Sequence, residues 1–142
     1  MANIVPDSFK TDLLKGTFNF DSGGSTFNIA LYTSLAAFST ATTSYITTNE
    51  VSASGTGYTT GGQALSNAGV AVSSNIAYVD FDNETFSSVT LTAVGALIYK
   101  DTTNEAVLIL DFGGSKTATN GDFTIQFPAA DSSNAIIRLG DA

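Results

Sequence analysis

The sequence predicts an all-β protein: one antiparallel β-sandwich or jelly-roll-like domain with a short N-terminal helix or arm. Three observations support this prediction. Apolar and polar residues alternate along several short segments, which is the period of half-buried strands. Turn-forming residues lie between these segments, and the strands are spaced by about 8–15 residues, which leaves little room for crossover helices. The 142 residues suit one domain, and 43% of them are hydrophobic, which is sufficient for a core.

A helix is expected within residues 5–16, "VPDSFKTDLLKG". Pro6 and Asp7 suit the first helical turn, Lys15 favours the C-terminal end, and Gly16 favours termination. Ten residues make a marginal helix in isolation, so its apolar side must pack on something.

That apolar side consists of Phe9, Leu13 and Leu14. It packs either on the sandwich of its own chain or on a neighbouring subunit, and the sequence leaves both alternatives open. We therefore divide the chain into an N-terminal arm or helix at 1–16 and a β-sandwich domain at 17–142.

The domain is expected to contain eight strands. They are predicted at 17–21, 26–34, 64–73, 75–82, 89–100, 106–114, 121–127 and 135–139. The fifth and sixth are almost continuously apolar, as central strands are when both faces are covered. Only the turn-forming linker 101–105 separates them, so we expect antiparallel neighbours.

Breaks in the strand pattern predict the turns. We expect turns at 22–24, at 120–121 and at Pro128, which cannot donate to a ladder and so ends its strand. Gly95, inside the most apolar strand, indicates a bulge or a close backbone approach. Residues 34–45 fit either a helical turn or a loop.

Charge and composition exclude several classes of function. Thirteen acidic residues against five basic ones leave a net charge of −8, which repels the phosphates of nucleic acids. The chain has no Cys and no His, so the commonest general base and metal ligand are missing. The N-terminus does not resemble a signal peptide, and no apolar run has the length of a membrane span. We expect a soluble, non-enzymatic protein made in a cytoplasm.

The glycine-rich stretch "EVSASGTGYTTGG", residues 50–62, superficially resembles a phosphate-binding loop. Such a loop needs a strand before it and a helix after it, and a P-loop also needs Lys where Gln63 stands. We interpret the stretch as an ordered surface loop anchored by Tyr58, with glycines at positive φ. The alternative is that Tyr58 contacts a partner.

Two stretches contain acidic residues in patterns that partly resemble binding or catalytic sites. Residues 80–84, "DFDNE", lack the glycine and the glutamate of a calcium loop, since Thr85 and Leu91 occupy those positions. We expect a solvated strand end there, with a structural ion as the alternative. A glycosidase-type pair is an alternative for any two of the ten Asp and three Glu residues that meet in space. Residues 110–116, "LDFGGSK", fit a strand running into a turn. No catalytic, cofactor-binding or metal-binding residue is predicted.

Six stretches carry a family resemblance. They are "SFKTDLLKG" (8–16), "FNIALYTS" (27–34), "EVSASGTGYTTGG" (50–62), "ALIYKD" (96–101), "LDFGG" (110–114) and "GDFTIQFPAADSSNAIIRL" (121–139). In this order, over almost the whole chain, they resemble a family of small structural proteins of tailed bacteriophages. The loop reads "EVSASGTGY" where the family pattern is the shorter "EVSGTGY", so its tip is expected to be displaced.

The resemblance implies a virion protein without catalytic residues, similar to trimeric cement or decoration proteins. We therefore expect a homotrimer on the outer capsid surface that binds the major capsid protein at three-fold or quasi-three-fold positions. The candidate partner-binding residues are Phe9, Leu13, Leu14 and Tyr58. The alternative function is a head or tail fibre or receptor-binding module that contacts host glycans through loops such as 50–62. A polysaccharide depolymerase is a more remote alternative.

Overall fold

The computed structural model describes residues 2–141, which form an all-β fold of two antiparallel sheets and one short helix, as the sequence predicts. The elements in chain order are α1 (Asp7–Leu14), β1 (Phe27–Tyr32), β2 (Gln63–Ala64), β3 (Asn67–Ser73), β4 (Ile76–Phe81), β5 (Glu84–Lys100), β6 (Ala106–Ile125) and β7 (Ile137–Leu139). Within this part of the chain, no helix has the length and apolar character needed to cross a membrane.

The two sheets differ in size. The larger has the order β2-β1-β5-β6, and the smaller has the order β3-β4-β7. The antiparallel pairing predicted across the linker 101–105 is confirmed, because it joins β5 to β6. The N-terminal arm runs along the outer edge of β6, where Ile4 and Ile109 exchange two backbone hydrogen bonds of 2.9 Å.

The predicted turn at 120–121 is wrong, because β6 continues through it to Ile125. Asn120 has a φ of 46°, and the register with β5 shifts around it, so Thr119 and Asn120 form a bulge within the strand. Thr90 on β5 accommodates the bulge by accepting a hydrogen bond from the Asn120 N–H at 3.0 Å. The pairing of β5 on both sides overrides the local turn preference.

Three other strand predictions need correction. Residues 17–21 form no strand, because the alternation there reflects burial of Phe18 and Phe20 and not a ladder. The segment 64–73 is divided between β2 and β3, and 135–139 contributes only the three residues of β7. Residues 34–45 form turns and loop and not a helix.

A close backbone approach at Gly95 is confirmed. A Cβ at this position would lie 2.4 Å from the carbonyl oxygen of Leu110. Gly95 pairs with Asp111, and Ala93 pairs with Lys116. Between these two pairs β5 has one residue, whereas β6 has four. Residues 112–115, "FGGS", therefore bulge out of the larger sheet.

The core covers both faces of the larger sheet. Leu97 packs in one cluster with Tyr32 and Phe38, and the adjacent Ile98 packs in the other cluster with Phe27. This explains why the sequence of β5 is continuously apolar there, as expected of a central strand.

Helix α1 packs on its own chain. Phe9 is 3% exposed, and its ring centroid lies 5.1 Å from that of Phe18 and 6.0 Å from that of Phe20. The helix begins after Pro6 and ends before Gly16, whose φ of 80° requires a residue that tolerates the left-handed region. Of the two alternatives for the apolar side of the helix, the structure shows packing within the chain for Phe9.

Candidate functional site

An apolar surface is the most distinctive feature of the exterior. In residues 2–141, five large hydrophobic side chains are 40–85% exposed. They are Val5, Leu14, Val70, Val72 and Leu139. Four of them line two adjoining grooves, and we call these five residues with the grooves between them the apolar surface.

The first groove, of about 540 Å³, lies between α1 and β7. Val5, Leu14 and Leu139 line it together with Val107 and Leu108 of β6. Because Leu14 is the last residue of the helix, its side chain projects beyond the packed turn and is 85% exposed.

The second groove, of about 250 Å³, lies between the Phe18–Phe20 segment and the smaller sheet. It is lined by Val70 and shares Leu13, Ile137 and Leu139 with the first groove. The two grooves therefore form one continuous surface.

Strand register explains why part of the smaller sheet is exposed. Two cross-strand rows lie on the same face of this sheet, namely Val70–Val79–Ile137 and Val72–Ala77–Leu139. The first row packs against the core, where Val79 is only 7% exposed. The second row lies nearer the β3–β4 turn, and there Val72 is 72% and Leu139 55% exposed. The apolar face of the sheet thus extends beyond the core that it covers.

The charges around the apolar surface differ from those of the rest of the chain. None of the carboxylates in the described residues lines either groove, whereas Lys10 and Arg138 line the first. The Lys10 ammonium lies 2.8 Å from Asp7 Oδ1, in an exposed pair. On a chain of net charge −8, an apolar partner therefore meets this surface without desolvating a carboxylate.

The structure separates the four predicted partner-binding residues. Leu13 is half-buried and lines both grooves, and Leu14 projects from the same surface. Phe9 lines the first groove but lies almost wholly in the core, and Tyr58 is 3% exposed at a different place. The structure thus places Leu13 and Leu14 on one surface, while Phe9 and Tyr58 face the interior.

The glycine-rich loop 50–62 is held from within by a carboxylate. Oε1 of Glu50 accepts hydrogen bonds from the Tyr58 hydroxyl and from the Gly61 N–H, both at 2.7 Å. The Tyr58 hydroxyl in turn accepts a bond of 3.0 Å from the Leu31 N–H of β1. Tyr58 is therefore the anchor of this loop, as the sequence predicts, and its glycines at 55, 57, 61 and 62 have positive φ.

Three further tyrosines surround this anchor. Oε2 of Glu50 accepts a bond of 2.6 Å from Tyr45, and the Tyr99 hydroxyl donates to the Gly61 carbonyl at 2.6 Å. Burial, and then Glu50, raise the pKa of Tyr58 and of Tyr45, and burial is the main cause of the raised pKa of Tyr32 and Tyr99. These hydroxyls stay protonated at neutral pH and act as donors.

Sequence reasoning missed Glu50. A signal was present, because Glu50 is the only charged residue between Asp21 and Asp80. A single charge in so long an uncharged stretch indicates a specific partner within the fold.

A cleft of about 660 Å³ lies beside the 112–115 bulge. Phe112 lines it from the bulge and packs on Phe123, with ring centroids 6.0 Å apart. Asp122, Lys116 and Arg138 supply charged groups to the same cleft. Its wall is therefore partly aromatic and partly polar.

The first residue of the acidic stretch 80–84 is buried, whereas we predicted that the stretch is solvated. Asp80 is 1% exposed, its Oδ1 accepts a 2.9 Å bond from the Phe81 N–H, and burial raises the pKa of its carboxyl. Asp82 and Asn83 are solvated as expected. Across residues 2–141, no group of three or more acidic side chains is arranged to hold a metal ion.

No protein-family model, no curated protein and no solved structure matches this chain.

Proposed function

We propose that this chain is a virion structural protein of a tailed bacteriophage, a cement protein that binds the major capsid protein on the outer capsid surface. The observation that carries the proposal is the apolar surface. Contiguous exposed apolar surfaces on soluble domains mark sites of protein association, and no carboxylate of the described residues lines the two grooves of this one.

The energetics favour a binding role in a repetitive assembly. Full burial of one Val or Leu side chain contributes about 1.5–3 kcal/mol, whereas association costs roughly 4–15 kcal/mol. A surface with five partly exposed side chains thus supports a weak single contact, and several linked copies are needed for tight attachment. A trimer on a shell with repeated sites meets this requirement.

The rigidity of the body fits the same role. The larger sheet is packed on both faces, and the glycine-rich loop 50–62 is closed by Glu50. The assignment to a capsid comes from the family resemblance of the six stretches. The apolar surface is where we expect the capsid protein to bind.

Substitution of Leu14 by Lys tests the proposal. We expect Leu14→Lys to weaken saturable binding to emptied capsids at least tenfold. Its free energy of unfolding should change by less than about 0.5 kcal/mol, because the side chain is 85% exposed. Thr119→Lys, an equal charge change at an exposed site on β6, is the matched control and should bind normally. Undiminished capsid binding by Leu14→Lys would contradict the proposal.

Truncation of residues 1–15 is a poorer test. It removes Phe9 from the aromatic core and Ile4 from the edge of β6, so it weakens the fold as well as the surface. The expected trimer is checked separately by a solution mass that is a multiple of three 14.6 kDa chains, and a monomer at micromolar concentration would contradict it.

The cleft beside the 112–115 bulge favours a second candidate, a receptor-binding module that contacts host glycans. Its volume lies within the range of small-ligand sites, and its aromatic and polar wall suits a sugar. Binding of the isolated protein to a glycan array or to host cells, without saturable binding to emptied capsids, would favour this candidate over the first.

A further inference from the structure

Strand β3 forms an open edge of the smaller sheet. It pairs with β4 on one side, and its residues from Val70 to Ser73 are exposed. Only its beginning is covered, because the Asn67 amide donates to the carbonyls of Asp21 and Ser25.

The other outer strands in the described chain are short, or partly covered and protected. β2 has two residues and β7 has three. β6 pairs with the N-terminal arm at Ile4, and its later part carries Lys116 and the bulge at Asn120. Proteins commonly protect long edges with Lys, Pro or bulges. The stretch from Val70 to Ser73 has none of these, since its bulge lies earlier, at Gly69.

The turn after β3 determines which backbone groups face outward. Ser74 and Asn75 have φ of 52° and 63°, as in a two-residue type I′ turn. Ser73 and Ile76 flank this turn and form a hydrogen-bonded pair. Along the ladder from there, hydrogen-bonded pairs alternate with non-hydrogen-bonded pairs.

Val72 and Val70 occupy the alternate positions, opposite Ala77 and Val79. Their N–H and C=O groups therefore point away from β4, toward solvent. On β4, the same alternation directs the N–H and C=O groups of Ala77 and Val79 toward β7, opposite Leu139 and Ile137. Two donors and two acceptors thus stand in one row at the open edge.

Charge indicates what covers this edge. Residues 51–79 contain no charged side chain, although the whole chain has a net charge of −8. The Asp21 carboxylate lies at the beginning of β3, 3.8 Å from where a Cβ at Gly69 would be, so the uncharged stretch of the edge is Val70 to Ser73. Two copies that pair there bring no like charges together on the paired residues, which favours self-association.

We propose that two copies of this chain pair antiparallel through β3 about a two-fold axis at Ala71. In this register Val70 of one copy lies opposite Val72 of the other, so the four outward groups of each copy form four hydrogen bonds. Ala71 faces its own counterpart at the axis, where a small side chain permits close approach. The pairing joins two smaller sheets into one of six strands and is closed, because it uses the same edge twice.

This inference is independent of capsid binding. The β3 pairing uses outward backbone groups, whereas the proposed capsid contact uses side chains of the apolar surface. Together with the expected trimer, the pairing gives six chains. The inference requires an even number of chains in either case.

A pair of cysteine variants tests the register, since the natural chain has no Cys. In the proposed pairing the two Ala71 Cα atoms are about 4.5 Å apart, within the range of a disulfide. Those of Ser73 are roughly 14 Å apart, at about 3.4 Å per residue, which is beyond it. With diamide as oxidant, Ala71→Cys should give a covalent dimer on a denaturing gel and Ser73→Cys should not. Equal cross-linking of both variants would overturn the register.

Val72→Pro tests the pairing without a cross-link. It removes an N–H that points to solvent and leaves the ladder with β4 intact. We expect the solution mass to fall to half that of the natural chain, whereas Val72→Thr, which keeps the N–H and the branched shape, should not change it. A natural chain with an odd number of copies, or no cross-linking of Ala71→Cys, would overturn the inference, even if Val72→Pro does not fold.

Discussion

The Tyr58 hydroxyl donates a hydrogen bond of 2.7 Å to Glu50 Oε1, which also accepts from the Gly61 N–H. A residue at the start of the glycine-rich loop thus holds two residues near its end. In a phosphate-binding loop the backbone N–H groups face the ligand. Here the N–H of Gly61 donates to a carboxylate of the same chain. The glycines therefore allow the backbone turns of the loop and do not bind a phosphate.

Glu50→Gln should therefore weaken the fold. Glutamine has one acceptor oxygen for the Tyr58, Gly61 and Tyr45 donors, and a buried donor without a partner costs about 1–3 kcal/mol. We expect a fall of that size in the free energy of unfolding, measured by denaturant titration. Tyr45→Phe removes a single bond and should lose about 1 kcal/mol. Equal stability of Glu50→Gln and the natural protein would argue against a structural role for this carboxylate.

Gly62→Ala and Gly55→Ala form a matched pair in the same loop. Both glycines have positive φ, 77° and 72°. A Cβ at Gly62 would lie 1.8 Å from the Ile29 carbonyl oxygen, whereas one at Gly55 meets nothing within 4 Å. We expect Gly55→Ala to lose about 1 kcal/mol from backbone strain and Gly62→Ala to lose at least about 3 kcal/mol or fail to fold. Thermal unfolding of both variants checks this, and similar losses would show that the close approach to β1 is not tight.

Alkaline pH should destabilise the protein. The pKa of each of Tyr32, Tyr45, Tyr58 and Tyr99 is raised above the ordinary 10.0, chiefly by burial. A raised pKa in the folded state contributes stability that is present below the unfolded pKa and is lost as pH rises beyond it. We expect the free energy of unfolding to fall above about pH 10, with tyrosinate absorbance of these four rings appearing together with unfolding. Their gradual ionisation in a chain that remains folded would contradict this.

Asp80→Asn should stabilise the protein at neutral pH. Burial raises the pKa of Asp80 more than the N–H groups of Phe81 and Ile136 lower it, so the charged form is disfavoured in the fold. Stability linked to this group is present at low pH and lost as pH rises through the folded pKa. Asparagine keeps an acceptor for the Phe81 N–H without the charge. Asp80 Oδ2 accepts no hydrogen bond within the described residues, so replacing it by the amide nitrogen removes no such bond, and we expect a gain of about 1 kcal/mol.

The control for Asp80→Asn is Asp82→Asn, an exposed site two residues away, which should change stability by less than about 0.5 kcal/mol. The gain from Asp80→Asn should disappear in acid, where the natural carboxyl is protonated as well. A loss of stability at neutral pH would mean that the negative charge itself is needed there.

Local patterns predicted several elements correctly. Pro6 and Gly16 bound the helix because their preferences depend on their own backbone angles. The β5–β6 pairing was predictable because a short polar linker joins two apolar segments. Asn120 and Gly121 misled the prediction for the same reason, since their turn preference is local and the partner strand that overrides it is about 30 residues away.

For the candidate site, the sequence indicated Leu13 and Leu14 but did not distinguish them from Phe9 and Tyr58, which were predicted as partner-binding residues as well. Helical spacing shows that residues share a side, but it does not show where the core ends along that side. Phe9 meets the Phe18–Phe20 segment, whereas Leu14 lies one turn beyond it. Val72 and Leu139 were not predicted at all, because their exposure depends on the register of three strands distant in sequence.

By itself, the sequence determined the all-β class, the short helix, the long hairpin and the strongly acidic character, because periodicity and charge are properties of neighbouring residues. Only the tertiary structure decided that Tyr58 faces inward, that β6 is continuous, and that one row of the smaller sheet extends past the core. These depend on contacts between segments far apart in the chain, and the free energy of burial is decided by both sides of a contact.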